Sequence, residues 1–438
     1  MAQASTALTA KTLHLVFNGV TEDSRVLKCA WSLGNAGWDV LVIGTTPSGT
    51  PDTFTIGYAT IERLPIKVVV KKASLAKILR KSRRFIRLGA SFLLIPAKGK
   101  KTVGGIPNLN RAVSVITPRA IKFAPDVIHA HDYTILPVAG RLVEILNKRG
   151  IPTKLVYDAH EYVPGVAHLT PLMASNYSIE ERKYSALSSA VLSVSEGMSE
   201  LLIPHLEIDF QPRIVANDPL VEGQVVSQRN LREDCKIAPG VPLMVYSGAV
   251  APQRGLHTAV AALRQLNDVH LAVIVNPSNK TALDLVANNQ DVANRIHLVP
   301  YVPNNELVSY LSTADIGLIP LLHRLNHEIS LITKFGEYMQ ARLPILVSDV
   351  KTMSAEVKKL GNGEVFVAED VDGFTAAARL IFNNIDTYKG VYTAGMLKDR
   401  SWEKQAEHLA QIYSDISGKK PREREAVPFS ITAPKPIR

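Results

Sequence analysis

Strand and helix patterns alternate along almost the whole chain, and the alternation runs twice. In the first half, short apolar runs stand at Leu13–Phe17, Asp39–Ile43, Ile66–Val70, Asp126–Ala130, Lys154–Tyr157 and Ala190–Val194, with Arg213–Ala216 closing the series. Helical spacing fills the gaps at Asp23–Ala36, 134–148, 179–189 and 196–203. Asp23 is placed to cap the first helix and Gly37 to stop it. The second half repeats the scheme, with strands at Leu243–Tyr246, Leu271–Val275, His297–Val299, Ile316–Ile319, Ile345–Val347 and Glu364–Val367, and helices such as Leu256–Leu266 and Lys280–Asn289 between them. Repeated strand–helix–strand units require parallel sheets with right-handed crossovers. At 438 residues the chain exceeds one ordinary core. The expected fold is therefore α/β, with two Rossmann-like, doubly wound domains facing a central cleft. Residues 1–217 form one domain and 218–401 the other, joined by a polar, Gly/Pro-punctuated linker near Asp218–Val241. Ligands of such sheets bind outside the carboxyl ends of the strands. A last amphipathic helix spans 402–417, with Trp402, Leu409, Ile412 and Tyr413 on its apolar side. The Lys-, Arg- and Pro-rich residues 419–438 are expected to be disordered.

Apolar content of 46% and charged content of 21% suit a soluble globular protein. Cys29 and Cys235 lie far apart, without metal or disulfide spacing, which favours a reducing cytoplasm. The first ten residues lack a signal-peptide pattern, and no run of about 20 apolar residues is present to span a membrane. The net charge of +10 is concentrated: from Arg63 to Pro125 there are sixteen Lys and Arg and no Asp or Glu, leaving 10 − 16 = −6 for the rest. Within that window, Leu75, Ile78, Leu79, Phe85, Ile86, Phe92 and Leu93 recur at helical spacing, and Lys77, Arg80, Lys81, Arg83, Arg84 and Arg87 crowd the other face. A basic amphipathic helix of this kind docks on an anionic membrane surface, making the protein peripheral on the inner face of the membrane. The competing reading is a helix packed on its own sheet with a solvated basic face. Nucleic acid is the weaker partner, since aromatics for base stacking are sparse.

The second half also carries the strongest chemical signal. Glu328 to Asp349 reads as a loop, a short helix starting near Ser330, a turn at Arg342-Leu343-Pro344, and a buried strand. Amides at that helix start lack intrahelical partners and carry partial positive charge. They suit a phosphate, and Thr333, Lys334 and Glu337 fall on adjacent turns of one face. A carboxylate one to two turns in would take ribose hydroxyls. The segment Lys334-Phe335-Gly336-Glu337-Tyr338-Met339, followed by Arg342-Leu343-Pro344, resembles the donor site of retaining GT-B glycosyltransferases of family 4, in which Lys-Leu-Phe-Glu-Tyr-Met precedes a Gly-Leu-Pro turn. The resemblance runs from about Leu13 to about Ile416.

Further stretches fit the same family. Tyr246-Ser-Gly-Ala-Val-Ala-Pro-Gln-Arg-Gly255 resembles its Gly-rich loop, with Gly248 letting backbone approach a ligand and Arg254 forking onto phosphate. The family's first loop cation is Ala249 here, a gap that Lys334 could fill. His131 and Asp132 close Asp126-Val-Ile-His-Ala-His-Asp132, and His131 matches a family histidine near the donor sugar. His129 is expected on the opposite face of that strand. Tyr157-Asp-Ala-His-Glu161 resembles a signature of one branch, so Asp158, His160 and Glu161 either contact the acceptor or the moving sugar, or form a buried ordering network. Asn18-Gly19 and Thr21-Glu-Asp-Ser-Arg-Val26 match the same branch, with Gly19 near the donor phosphate and Arg25 facing either cleft or surface. Glu328 stands nine residues before Glu337, where the family spacing is eight, and is carried over as a sugar contact. Tyr301, in Pro300-Tyr301-Val302, is placed beside the base.

The resemblance implies a metal-independent, retaining transfer from a nucleoside-diphosphate sugar to an acceptor hydroxyl, on a glycan or glycolipid. Ser330, Thr333, Lys334 and Arg254 would hold the diphosphate, with His131, Arg254 and Lys334 as the catalytic groups. It also implies that helix 402–417 packs back on the first domain. No metal or other cofactor is expected: the chain is read as lacking the Asp-x-Asp motif of metal-dependent transferases and metal-ligand spacing. Alternatives are a GT-B epimerase or phosphorylase, and, from another class, a non-catalytic cationic binding protein.

Overall fold

The computed structural model describes residues 10–46, 48–66 and 109–437. The expected basic amphipathic segment, with Lys77, Arg80, Lys81, Arg83, Arg84 and Arg87, lies outside the described residues. So do positions 67–70 of the strand expected at Ile66–Val70, and Ile66 itself is not in a strand.

Two sheets carry the described residues. The first has nine strands: β1 (Lys11–Leu15), β2 (Asp39–Thr45), β3 (Asp52–Ile56), β4 (Ala59–Leu64), β5 (Val127–His131), β6 (Lys154–Asp158), β7 (Ala190–Ser193), β8 (Arg213–Ile214) and, from the far end of the chain, β15 (Lys435–Pro436). The second has six: β9 (Leu243–Ser247), β10 (His270–Ile274), β11 (Ile296–Val299), β12 (Ile316–Ile319), β13 (Ile345–Ser348) and β14 (Gly363–Phe366). The first sheet runs β15-β3-β4-β2-β1-β5-β6-β7-β8 and the second β11-β10-β9-β12-β13-β14. Every pairing in the second sheet is parallel. The first is parallel except where β3 meets β4 and β15. Apolar clusters bury both faces of each sheet, as parallel strands require.

Strand order reverses between β1 and β5 in the first sheet, and between β9 and β12 in the second. A reversal opens a crevice at the carboxyl ends of the strands. Those ends hold Asn18-Gly19 and His131-Asp132 on one side, and Gly248 on the other. The domains touch beside these crevices: Ser195 Oγ donates to the Ile329 carbonyl, and Tyr162 N donates to Asn326 Oδ1 at 3.2 Å.

Two features depart from expectation. The hairpin β3–β4, turned at Gly57-Tyr58, was missed, because its alternating polar residues hide an edge pair. Residues 419–437 are not disordered but packed along the first domain. Their cations meet fixed acceptors: Lys419 pairs with Asp126 at 2.5 Å, and Arg422 and Arg424 reach Asp39 at 2.9 and 2.6 Å. Helix Trp402–Ser417 lies against the same domain, where Trp402 Nε1 donates to Ser32 Oγ at 2.8 Å and the Tyr413 ring meets Trp38 edge-on. Among the described residues, no helix is long and apolar enough to cross a membrane.

Candidate active site

Helix Thr333–Gln340 starts three residues later than expected, because Ser330-Leu331-Ile332 stays extended after the short helix Leu325–Ile329. No side chain caps it. Its first turn is built into the cleft by Asn217, whose Nδ2 donates to Thr333 Oγ1 at 2.9 Å. A cavity of about 560 Å³ opens there, lined by Arg254, Ser330 and Thr333 from the second domain and by His160, Glu161 and Asn217 from the first. A second cavity of about 630 Å³ continues it past His160 and Asn217 to Asn18, Gly19, Arg25 and Arg63. Asn217 Oδ1 is buried without a partner, an acceptor left over for a ligand hydroxyl. No sequence motif pointed to Asn217, nor to Asn326, which also lines the cleft.

Lys334 sits with Nζ 3.7 Å from the centre of the Tyr246 ring and close under Gly248. A Cβ at Gly248 would approach that Nζ to 3.3 Å, and its φ of +126° is closed to other residues. Burial and then the Arg254 charge lower the Lys334 pKa to about 7, against the pull of Glu337. Among the described residues neither Lys334 nor Arg254 has a carboxylate in salt-bridge range. Two cations without a carboxylate in range, beside an uncapped helix start, have the chemistry to attract an anion such as a diphosphate. Glu337 lies one turn on. Burial raises its pKa, with Lys334 and Lys28 acting against the rise.

Other expected contacts are placed elsewhere. The Glu328 carboxylate does not line the cleft cavities; it meets His323 Nδ1 at 2.5 Å and accepts the Lys351 amide at 2.7 Å, at the start of helix Lys351–Leu360. Tyr301 is 54% exposed and does not line the cleft cavities. Asp132 takes a left-handed backbone (φ +76°), accepts the Tyr133 amide at 2.7 Å, and has its pKa pushed up by burial to about 7. The triplet Asp370-Val371-Asp372 is an Asp-x-Asp, so the expectation that none is present is corrected. Asp370 caps the helix Val371–Asn383, and Asp372 accepts from Gln265 at 2.7 Å.

Behind the cleft is a buried network that the sequence only half disclosed. Strand register sets His14 beside His129, and His131 beside Asp158. His129 and His131 share one face, as the two-residue period of a strand requires, and their rings stack 4.0 Å apart. The assignment of His129 to the opposite face is therefore corrected. Asp158 is wholly buried and receives Arg25 in a fork of 2.8 and 2.7 Å, which answers where Arg25 faces. His129, His131 and His160 each come within 3.3 Å of the same carboxylate oxygen. His131 has no exposed surface. It shares a hydrogen bond with His14 at 2.9 Å and lies behind His160, so in this conformation His160, not His131, faces the cleft. Of the two readings left open for the strand-end residues, Asp158 fits the ordering network, while His160 and Glu161 reach the cavity. The groups His14/His129/His131 and His131/Asp158/His160 are close enough to hold a metal. The imidazole nitrogens of the first group already have polar neighbours within 3.5 Å in Tyr413, Asp158, His160 and one another. His129 Nε2 makes no hydrogen bond of its own but lies 3.2 Å from the Asp158 carboxylate, so the cluster is held by charge as well as by hydrogen bonds.

Burial holds His14, His129 and His131 below the ordinary histidine value, His131 at about 3. A group depressed in the fold stabilises it above its unfolded pKa of 6.5, and that contribution is lost as pH falls toward the folded value. His160 runs the other way: burial opposes its charge, but Asp158 more than offsets this and raises it. His270, His297 and His327 are lowered as well, and these six outnumber the groups raised in the fold, His160, His323, Asp132, Asp218 and Glu337, which act the other way. The melting temperature is therefore expected to fall between pH 7 and pH 5, at up to about 1.4 kcal/mol per pH unit for each net proton the unfolded chain takes up. Calorimetry across that range checks it, and a flat profile contradicts it.

Residues 23–217 match the glycosyl transferase 4-like domain, and residues 227–397 match the glycosyl transferases group 1 family. A glycogen synthase of Mycobacterium tuberculosis is 22% identical over 299 residues, covering 66% of this chain and 68% of that one. Among solved structures, a sucrose-phosphate synthase from Thermosynechococcus elongatus superposes with a TM-score of 0.69 at 14% identity, covering 93% of this chain and 99% of the other. Anabaena HepE in complex with UDP gives 0.64 at 13% identity, covering 92% and 100%. The chain belongs to the group 1 glycosyltransferases of the GT-B fold, enzymes that take a sugar from a nucleotide sugar.

Proposed function

We propose that this enzyme moves a glycosyl unit from a nucleoside-diphosphate sugar to an acceptor hydroxyl with retention of configuration and without a divalent metal. The observation that carries the reading is the pair Arg254 and Lys334, unpaired with any carboxylate among the described residues, beside the uncapped start of helix Thr333–Gln340. Leaving-group charge can be stabilised there by fixed cations and amides. Glu337 takes the ribose hydroxyls. Asn217 and His160 stand where the sugar and the attacking hydroxyl meet, and the cavity running to Gly19 and Arg63 receives the acceptor. Retention and metal independence rest on the family resemblance. Related structures hold UDP and UDP-glucose, so UDP- and GDP-sugars are the first donors to try. The acceptor is a polysaccharide or lipid-linked precursor in this reading.

The test is an assay in excess EDTA with product read by NMR. The expected product keeps the anomeric configuration of the donor. Inverted product, or activity abolished by chelator and restored by magnesium or manganese, overturns the reading.

A further inference from the structure

Helix Trp402–Ser417 is followed by a strap that no family match covers, since the matches end at residue 397. The strap is tied down along its length. Arg424 is clamped by the Gly34 and Trp38 carbonyls at 3.1 and 3.0 Å and lies over the Tyr58 ring. The strap backbone passes directly over Gly37, where a Cβ would meet the Arg422 carbonyl oxygen at 1.7 Å. Asn35 pairs both ways with the Val427 backbone, at 3.0 and 3.2 Å, and Trp31 Nε1 donates to the Val427 carbonyl at 2.9 Å. Further on, Thr432 bonds to Thr55, and β15 adds to the edge strand β3. The strap thus covers an edge that would otherwise stay open.

Between Val427 and Thr432 the strap does something else. Phe429, whose ring meets Trp31 edge-on at 5.7 Å, lines a cavity of about 460 Å³ together with Ser430 and Ile431. The same cavity is lined by Thr333 and Glu337, by Pro219 and Leu220, and by Lys28, Gln224, Asn304 and Asn305. Thr333 also lines the cleft cavity beside Arg254, so the two spaces share that residue. The volume falls in the range of small-molecule sites, about 300–1,000 Å³. Its chemistry suits a nucleoside. Glu337 offers a carboxylate suited to ribose hydroxyls, Phe429 an aromatic face beside apolar Pro219 and Leu220, and Gln224, Asn304 and Asn305 side-chain amides suited to a base edge. Gln224 Nε2 is spent on the Leu220 and Asn304 carbonyls, but its Oε1 is buried without a partner, an acceptor left for a base N–H.

We propose that residues 429–431 of the strap form one wall of the nucleoside half of the donor site, so that nucleotide affinity depends on the strap docked to the first domain. This rests on the donor reading of Glu337. The strap then joins a surface fixed to the first domain to a ligand held by the second, and donor binding draws the two together.

Calorimetric titration separates the halves of the site. Full-length protein carrying Phe429→Ala, and a chain ending at Gly418, are titrated with UDP, GDP and inorganic pyrophosphate, with Glu337→Ala as the control. The preferred nucleotide is expected to bind about fivefold more weakly to Phe429→Ala, the loss of one aromatic contact, and still more weakly to the shortened chain, while pyrophosphate binding is unchanged in both. Nucleotide affinity in Phe429→Ala within twofold of the parent, with Glu337→Ala impaired, overturns the strap proposal and leaves the donor site standing. An unimpaired Glu337→Ala overturns the donor reading itself.

Discussion

Lys334→Met is expected to lower turnover by about two to three orders of magnitude, the scale of losing one fixed group that stabilises developing charge. The fold should survive, because the side chain fits the same slot under Gly248 and against Tyr246. The parent enzyme carries a second signature. Burial first, and the Arg254 cation second, bring Lys334 to about 7. A bound diphosphate favours the ammonium form and raises that value. Binding therefore takes up a proton, and affinity falls as pH rises above 7, by up to tenfold per unit until the pKa of the complex is reached. Titrations from pH 7 to 8.5 in buffers of different ionisation enthalpy measure the uptake. Lys334→Met should abolish it. Equal proton uptake in parent and variant would place the titrating group elsewhere.

The second large effect concerns stability. Asp158→Ala removes the carboxylate that, among the described residues, answers Arg25 and is shared by His129, His131 and His160. Burial alone would raise its pKa, yet Arg25 and then His160 hold it well below the ordinary carboxylate range. Taking away one member of a buried ion pair leaves the other charged and unsolvated, which costs about 3–5 kcal/mol. Denaturant unfolding of the variant should show a loss of that size. Asp158→Asn keeps the shape but not the charge, and should recover only part of it. A loss below about 1 kcal/mol in Asp158→Ala would mean the network does not hold the first domain together.

Strand–helix alternation made both sheets legible, since a buried parallel strand writes itself as a short apolar run whatever its partners. The hairpin β3–β4 was not legible that way, because an edge pair buries one face only. The strap at 419–437 was misread because basic, proline-rich composition describes a chain without partners. Asp39, Asp126 and the carbonyls of Gly34 and Trp38 supply them from more than 290 positions away. At the site, Gly248, Arg254, Lys334 and Glu337 could be read because one turn and one helix carry them. Asn217 could not, because its role comes from a contact with Thr333, 116 residues on. His131 and Glu328 show the limit of a motif match: His131 is wholly buried against His14, and Glu328, one residue off the family spacing, is taken up by His323 and the Lys351 amide.

The central claim is that a nucleoside diphosphate lies across Gly248, Arg254, Lys334, Thr333 and Glu337. Calorimetric titration of UDP and GDP into the parent, Arg254→Gln and Glu337→Ala tests it most directly. One nucleotide should bind the parent, and each variant should weaken that binding by more than about tenfold, about 1.4 kcal/mol, with an unchanged melting temperature. Unchanged titrations for both variants would contradict the account.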